Sequence, residues 1–126
     1  MKSIKFKSNG MNLAGNLFYP ENFDKSNQLF SAIVIAHPGG GVKEQTVGLY
    51  GEKLAEKGFV TMAYDAAFQG ESEGMPRGFE DPSQRVEDIR SAVAYLAGLP
   101  EVDATKIGVL GICASGGYAL VATATD

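Results

Sequence analysis

The segment Lys106-Ile107-Gly108-Val109-Leu110-Gly111-Ile112-Cys113-Ala114-Ser115-Gly116-Gly117 decides how the rest of the chain is read. Its first five residues have the apolar character of a short strand, and Tyr118-Ala119-Leu120-Val121-Ala122 beyond it reads as a helix of small residues. A strand, a tight turn and a helix follow one another. Such a turn lifts the side chain at its tip, here Cys113, above the edge of a sheet and holds it at a helix N-terminus, where free backbone N–H groups favour negative charge. A thiolate is the species that this place stabilises.

Two further apolar runs precede this one. Phe30-Ser31-Ala32-Ile33-Val34-Ile35-Ala36 and Phe59-Val60-Thr61-Met62-Ala63-Tyr64 are short, β-branched and nearly continuous, the pattern of strands buried on both faces. Between them a helix is expected over residues 46–57, with Val47, Tyr50 and Leu54 on one face and Gly58 as its stop. A second helix is announced by Asp81-Pro82-Ser83-Gln84, which supplies an N-cap, a first-turn proline and a capping-box partner. Val86, Ile89, Val93 and Leu96 then mark one face at helical spacing, and Pro100 ends the helix. Strand, helix, strand, helix, strand, helix predicts parallel βαβ units with right-handed crossovers. Upstream, Ile4 and Phe6 alternate with Lys5 and Lys7, Asn9-Gly10 is a hairpin dipeptide, and Leu13, Gly15 and Leu17 resume a period of two. The expected fold is therefore α/β, a mostly parallel sheet with flanking helices and an antiparallel N-terminal hairpin at its edge. Residues 20–28 are polar and read as a surface loop.

Ligands of such sheets bind beyond the carboxyl ends of the strands. Three loops fall there: His37-Pro38-Gly39-Gly40-Gly41-Val42-Lys43, residues 65–80, and the turn at Cys113. Their convergence on one rim is the main functional argument.

Composition narrows the alternatives. A chain of 126 residues with 44% hydrophobic residues is the size of one domain and can bury a core. Eleven basic against fifteen acidic residues leave a net charge of −4, with no basic cluster beyond the scattered Lys2, Lys5 and Lys7, so nucleic acid is not an expected partner. The N-terminus lacks the apolar core of a signal peptide, and no apolar run approaches a membrane span. A soluble cytoplasmic protein is expected, with no membrane partner. Cys113 is the single cysteine and His37 the single histidine, which excludes an internal disulfide and argues against a zinc site. No metal and no cofactor are expected.

These segments resemble the α/β-hydrolases, and among them the dienelactone hydrolase-like enzymes, along nearly the whole chain. The family's G-x-nucleophile-x-G turn is matched by Gly111-Ile112-Cys113-Ala114-Ser115, with Ser115 where the second glycine usually stands. The resemblance implies a Cys113 nucleophile. It also implies an oxyanion hole in which the N–H of Ala114 is joined by that of Gly39 or Gly40 from the His-Gly-Gly-type loop. His37 as general base and Ser115 as the reacting group are alternatives, as is Cys113 as a packed small thiol. The segment Asp65-Ala66-Ala67-Phe68-Gln69-Gly70-Glu71-Ser72 resembles the family's Asp-x-Arg-Gly-x-Gly-x-Ser, with Ala67 in the place of arginine. Glu71, Glu73 and Arg77 are candidates for substrate contact or for plain solvation. Phosphate-binding glycine patterns fail: Glu44 follows Lys43, and Gly108, Gly111 and Gly116 are wrongly spaced for G-x-G-x-x-G.

In that family the acid and base follow the nucleophile, yet after Cys113 only Asp126 is acidic and no histidine follows. Residues 1–126 therefore read as the N-terminal part of a single α/β-hydrolase domain, an incomplete fold. The expected function is hydrolysis of an ester, lactone or thioester, a small-molecule substrate, by the full-length protein, with this piece nearly inactive. A non-catalytic ligand- or partner-binding module is the alternative. The strand 106–110 would lie at a sheet edge, so pairing there with a second copy or with a C-terminal portion is expected.

Overall fold

Lysine alternates with apolar residues along β1 (Lys2–Ser8), which leaves Lys2, Lys5 and Lys7 exposed and buries Phe6. The hairpin follows from that alternation. β1 pairs antiparallel with β2 (Met11–Phe18), Phe6 opposite Leu13 and Ile4 opposite Gly15. Asn9 and Gly10 join them at φ 47° and 80°, the two positive angles that a tight hairpin turn needs. The computed structural model describes residues 1–21, 29–36 and 46–111, with the backbone alone for Thr46 and Val47. Most of the expected loop 20–28 lies outside the described residues.

β3 (Phe30–Ala36), β4 (Val60–Tyr64) and β5 (Val102–Gly111) complete a five-stranded mixed sheet in the order β1-β2-β4-β3-β5. β3 runs parallel to both of its neighbours, and β2 joins β4 antiparallel. Helix α1 (Thr46–Glu56) links β3 to β4 and helix α2 (Pro82–Ala97) links β4 to β5, the two crossovers expected of the α/β class.

The period of two along the strands divides the interior into two layers. Ala32, Val34 and Ala36 of β3 and Val60, Met62 and Tyr64 of β4 join Leu13 and Leu17 in a core that packs with Val86, Ile89, Ala92 and Leu96 of α2. Ile35 and Ala63 point the other way, into a smaller cluster with Phe18 and Ala55 of α1. Ile107 and Val109 of β5 pack on the α2 side. Leu110 is 36% exposed, and a Cβ on Gly108 would meet nothing within 4 Å.

Four local expectations are corrected. Tyr50 is 46% exposed and does not line the buried face of α1, which runs through Gly51, Leu54 and Ala55. The helix approaches the sheet along Gly51, where a Cβ would lie 2.8 Å from the Phe18 ring, and Thr61 Oγ1 donates to Gly51 O at 2.8 Å. Side-chain periodicity is blind to a contact made by a missing side chain. In α2, Asp81 caps the helix by accepting the Ser83 N–H at 3.1 Å, but Gln84 turns inward and makes no capping box. The helix stops at Ala97 rather than at Pro100, with the Gly98 N–H donating to Ala94 O and Tyr95 O. Finally, β5 starts four residues earlier than the apolar run 106–110. Phe30 faces Val102 and Ala32 faces Ile107. The surplus residues on β5 form an irregularity in the register, within which Thr105 donates to Asp103 Oδ1 from both its N–H and its hydroxyl. The stop of α1 is as expected: Gly58 at φ 102° donates to Ala55 O.

These contacts set the sign of two substitutions. Gly51→Ala, which in a free helix would gain about 1 kcal/mol of propensity, is expected to destabilise by about 1–3 kcal/mol through overpacking against Phe18. Tyr50→Ala should stay within about 0.5 kcal/mol of wild type. Urea unfolding of both variants measures the difference.

Candidate active site

The register of the parallel strands places the candidate site. Ile35 of β3 faces Ala63 of β4, and Ala36 faces Gly111 of β5. The carboxyl ends of β4, β3 and β5 thus stand side by side, about 4.8 Å between neighbours. From the ends of β3 and β5 the chain enters the two segments in which the sequence locates the chemistry. His37, Gly39 and Gly40 follow β3, and Cys113, Ala114 and Ser115 follow β5; all six lie outside the described residues. The third loop of the rim, residues 65–80 after β4, is described throughout.

That loop is built from its own polar groups. The Asp65 carboxylate accepts the Glu71 N–H at 2.9 Å, and Gly70 turns at φ 49° so close above it that a Cβ would lie 2.5 Å from Oδ2. Ser72 Oγ donates to Asp65 O and accepts the Ala14 N–H, which ties the loop to β2. Arg77 donates to three carbonyls, Ser72 O and Gly70 O at 2.6 Å and Gly74 O at 3.0 Å. Glu73 holds Asn12 twice, accepting its N–H at Oε1 and donating its own N–H to Asn12 O. Arg77, Glu73 and the Glu71 backbone therefore shape the loop, a use that charge and loop position alone did not distinguish from substrate contact or solvation. Phe68 stands at φ 71° and its ring meets Phe79 edge-on at 5.2 Å.

Ala67, at the position where the resembled pattern has arginine, is 1% exposed, and its N–H donates to Asp88 Oδ2 at 2.9 Å. Asp88 is fully buried and also accepts from Ser8 Oγ and Gln84 Nε2, both at 2.7 Å. Burial raises its carboxyl above the usual range, against the pull of these hydrogen bonds and of the Arg85 guanidinium. Burial likewise pushes the Tyr64 hydroxyl far up, with the Asp88 charge adding to it. No sequence signal pointed to Asp88: it flanks the apolar stripe of α2, and although Gln84 lies one turn before it, its partners Ser8 and Ala67 lie 80 and 21 residues away. Among the described residues no group of three or more His, Cys, Asp or Glu could hold a metal ion, and no helix is long and apolar enough to cross a membrane. A depression lined by Phe18, Tyr19, Glu52 and Ala55 lies at the other end of the sheet. There burial and a 3.0 Å hydrogen bond to Glu101 push the Tyr19 hydroxyl up to about 12.

Residues 15–126 match the dienelactone hydrolase family. The chain belongs to that family. It is 53% identical over 116 residues to the uncharacterized protein YcjY of Escherichia coli strain K12, covering 92% of this chain and 38% of that protein. It is 34% identical over 117 residues to the thiohydrolase aneE of Aspergillus aculeatus, 93% of this chain and 35% of that protein. Among solved structures, the hypothetical protein PA2218 of Pseudomonas aeruginosa superposes with a TM-score of 0.95 at 44% identity, covering 99% of this chain and 39% of that one. The fold is that of an α/β-hydrolase, and the chain spans less than half the length of these relatives.

Two glycines of positive φ separate backbone strain from contact. Gly10→Ala, where a Cβ meets nothing, should lose about 1–2 kcal/mol from the left-handed backbone alone. Gly70→Ala, whose Cβ runs into Asp65, should lose measurably more. Chemical denaturation of the two variants side by side gives the comparison.

Proposed function

We propose that residues 1–126 are the N-terminal part of a single α/β-hydrolase domain that cleaves a small-molecule ester, lactone or thioester through Cys113. The supporting observation is the Ala36–Gly111 pairing, which makes the strand leading to the glycine loop the direct neighbour of the strand leading to the cysteine turn. The thiohydrolase relative is consistent with an acyl substrate. The Cys113 thiolate attacks the carbonyl carbon and the carbonyl π pair moves to oxygen. The N–H groups of Ala114 and of Gly39 or Gly40 hold that oxyanion. Its collapse breaks the bond to the leaving oxygen or sulfur, which departs as alkoxide or thiolate and takes a proton from the general acid or from water, and leaves an acyl-enzyme for water to hydrolyse. His37, which follows β3 directly, is the alternative general base, and Ser115, two residues after Cys113, the alternative reacting group. After Cys113 the sequence holds one acidic residue, Asp126, and no histidine, so these residues do not supply the acid and base that follow the nucleophile in the family. This chain alone is therefore expected to turn over slowly, since loss of a triad member in subtilisin lowers kcat by several orders of magnitude.

β5 carries a second part of the reading. Among the described residues it pairs on one side only, with β3, and Leu110 stays 36% exposed. The opposite edge strand displays Lys2, Lys5 and Lys7, the charged guard that discourages edge pairing. The apolar run 107–110 bears no charge. Residues 106–110 are thus the proposed place of pairing with a C-terminal portion or with a second copy.

Two measurements test these statements. Wild type is expected to alkylate rapidly at Cys113 below pH of about 8.5, the ordinary thiol pKa, and to yield a Cys113 acyl adduct from chromogenic short-chain esters in mass spectra. Cys113→Ala should lose both, and undiminished ester cleavage in that variant removes Cys113 from the mechanism. In sedimentation the chain should associate, and a stable, folded monomer counts against pairing through β5.

A further inference from the structure

The hydrogen-bonded chain of Asn9, Ser8, Gln84 and Asp88 takes no part in the proposed acyl transfer. Asn9 Nδ2 donates to Gln84 Oε1 at 2.9 Å, and Gln84 Nε2 donates to Ser8 Oγ at 2.9 Å and to Asp88 Oδ1 at 2.7 Å. Ser8 Oγ donates to the same carboxylate oxygen at 2.7 Å, and the other oxygen accepts the Ala67 N–H at 2.9 Å. One carboxylate thereby ties together the end of β1, the first turns of α2 and the start of the rim loop. The next residue, Phe68, holds φ 71°, a conformation that a bulky side chain keeps only where its surroundings over-determine it. Three bonds supply that determination: Ala67 N–H to Asp88, Phe68 N–H to Glu73 O at 2.9 Å, and Gly78 N–H to Phe68 O at 2.7 Å.

We propose that Asp88 is the positioning residue of the rim loop: by accepting the Ala67 N–H it holds the left-handed turn at Phe68 and so sets how residues 65–80 stand over the carboxyl ends of the strands. What the loop meets there rests on the hydrolase reading; the clamp itself does not. A carboxylate suits the task because all three of its partners donate. Charge adds strength, since hydrogen bonds to an ionised acceptor are shorter and stronger than neutral ones. The charged and titratable groups facing it are Arg85 of α2 and Tyr64 of β4; β1 brings the Ser8 hydroxyl and the loop a backbone N–H. Arg85 is 4% exposed, and its Nη2 lies 3.6 Å from Glu80 Oε1. The asymmetry between amide and alkyl replacements follows from the partners. Ser8, Gln84 and Asn9 can each turn from donor to acceptor, so Asp88→Asn can keep its oxygen on the Ala67 N–H, whereas Asp88→Ala leaves that N–H without a partner.

The test is amide hydrogen exchange by NMR on this chain, corrected for intrinsic rates. In Asp88→Ala the Ala67 amide is expected to exchange at least tenfold faster relative to the Met62 and Ala63 amides of β4, and in Asp88→Asn only a few-fold faster. In wild type the Ala67 protection relative to Ala63 should fall as the pH is lowered and the carboxylate protonates, while in Asp88→Asn it should stay flat. Exchange that rises uniformly across β4 and the loop in Asp88→Ala assigns Asp88 to global stability alone and overturns the proposal. If that variant does not fold, a wild-type ratio that is flat with pH overturns it equally. Failure of the hydrolase reading appears separately, as a missing Cys113 adduct, and leaves the exchange result standing.

Discussion

The parallel pairing of β3 with both β4 and β5 is the constraint on which the rest of the molecule depends. Two parallel strands cannot be joined by a tight turn, so each connection must cross the sheet and return. α1 and α2 make these crossings on opposite faces, which buries β3 and β4 on both sides and divides the interior into a large cluster under α2 and a small one under α1. The same pairing aligns the carboxyl ends of β4, β3 and β5, so that three loops distant in sequence leave the sheet together. Fold and candidate site share one cause.

The rim loop after β4 shows how such an end is made firm without secondary structure. Asp65, Ser72 and Arg77 direct their polar atoms at backbone groups of the loop itself, and Glu73 and Ser72 fasten it to β2. Asp88 anchors it from the far side, through α2. Burying that carboxylate opposes its ionised form, and the raised pKa records that opposition. By linkage, a raised folded pKa means that the folded state holds the proton more tightly. Relative to a neutral amide at position 88, wild type therefore stands at its most favourable in acid and loses ground as the pH rises through the folded pKa. Such a group is better understood as an orienting device than as a source of stability.

The two edges of the sheet are treated differently. β1 meets solvent with three lysines, a composition that keeps other strands away. β5 presents an apolar run with a partly exposed leucine, and among the described residues no strand pairs with it on that side. The relatives that the chain matches are more than twice its length, which accords with the pairing proposed for residues 106–110.

By itself the sequence determined the class of fold, because that depends on short-range patterns. Continuous apolar runs mark doubly buried strands, Asn9-Gly10 marks the hairpin, and Asp81-Pro82 marks a helix start. The segment from Gly111 to Gly117 and the glycine-rich stretch after Ala36 were legible as candidate chemistry for the same local reason, through their resemblance to a known motif. The tertiary structure decided what depends on contacts across the chain. Gly51, not Tyr50, faces the sheet, because a close approach needs the absence of a side chain. Asp103 and Thr105 bond to each other, so β5 gains residues that its apolar pattern did not include. Gln84 leaves the helix cap for Ser8, and Asp88 reaches Ala67, because a buried polar group takes whichever partner the packing brings to it. Sequence spacing does not encode that choice; three-dimensional neighbourhood does.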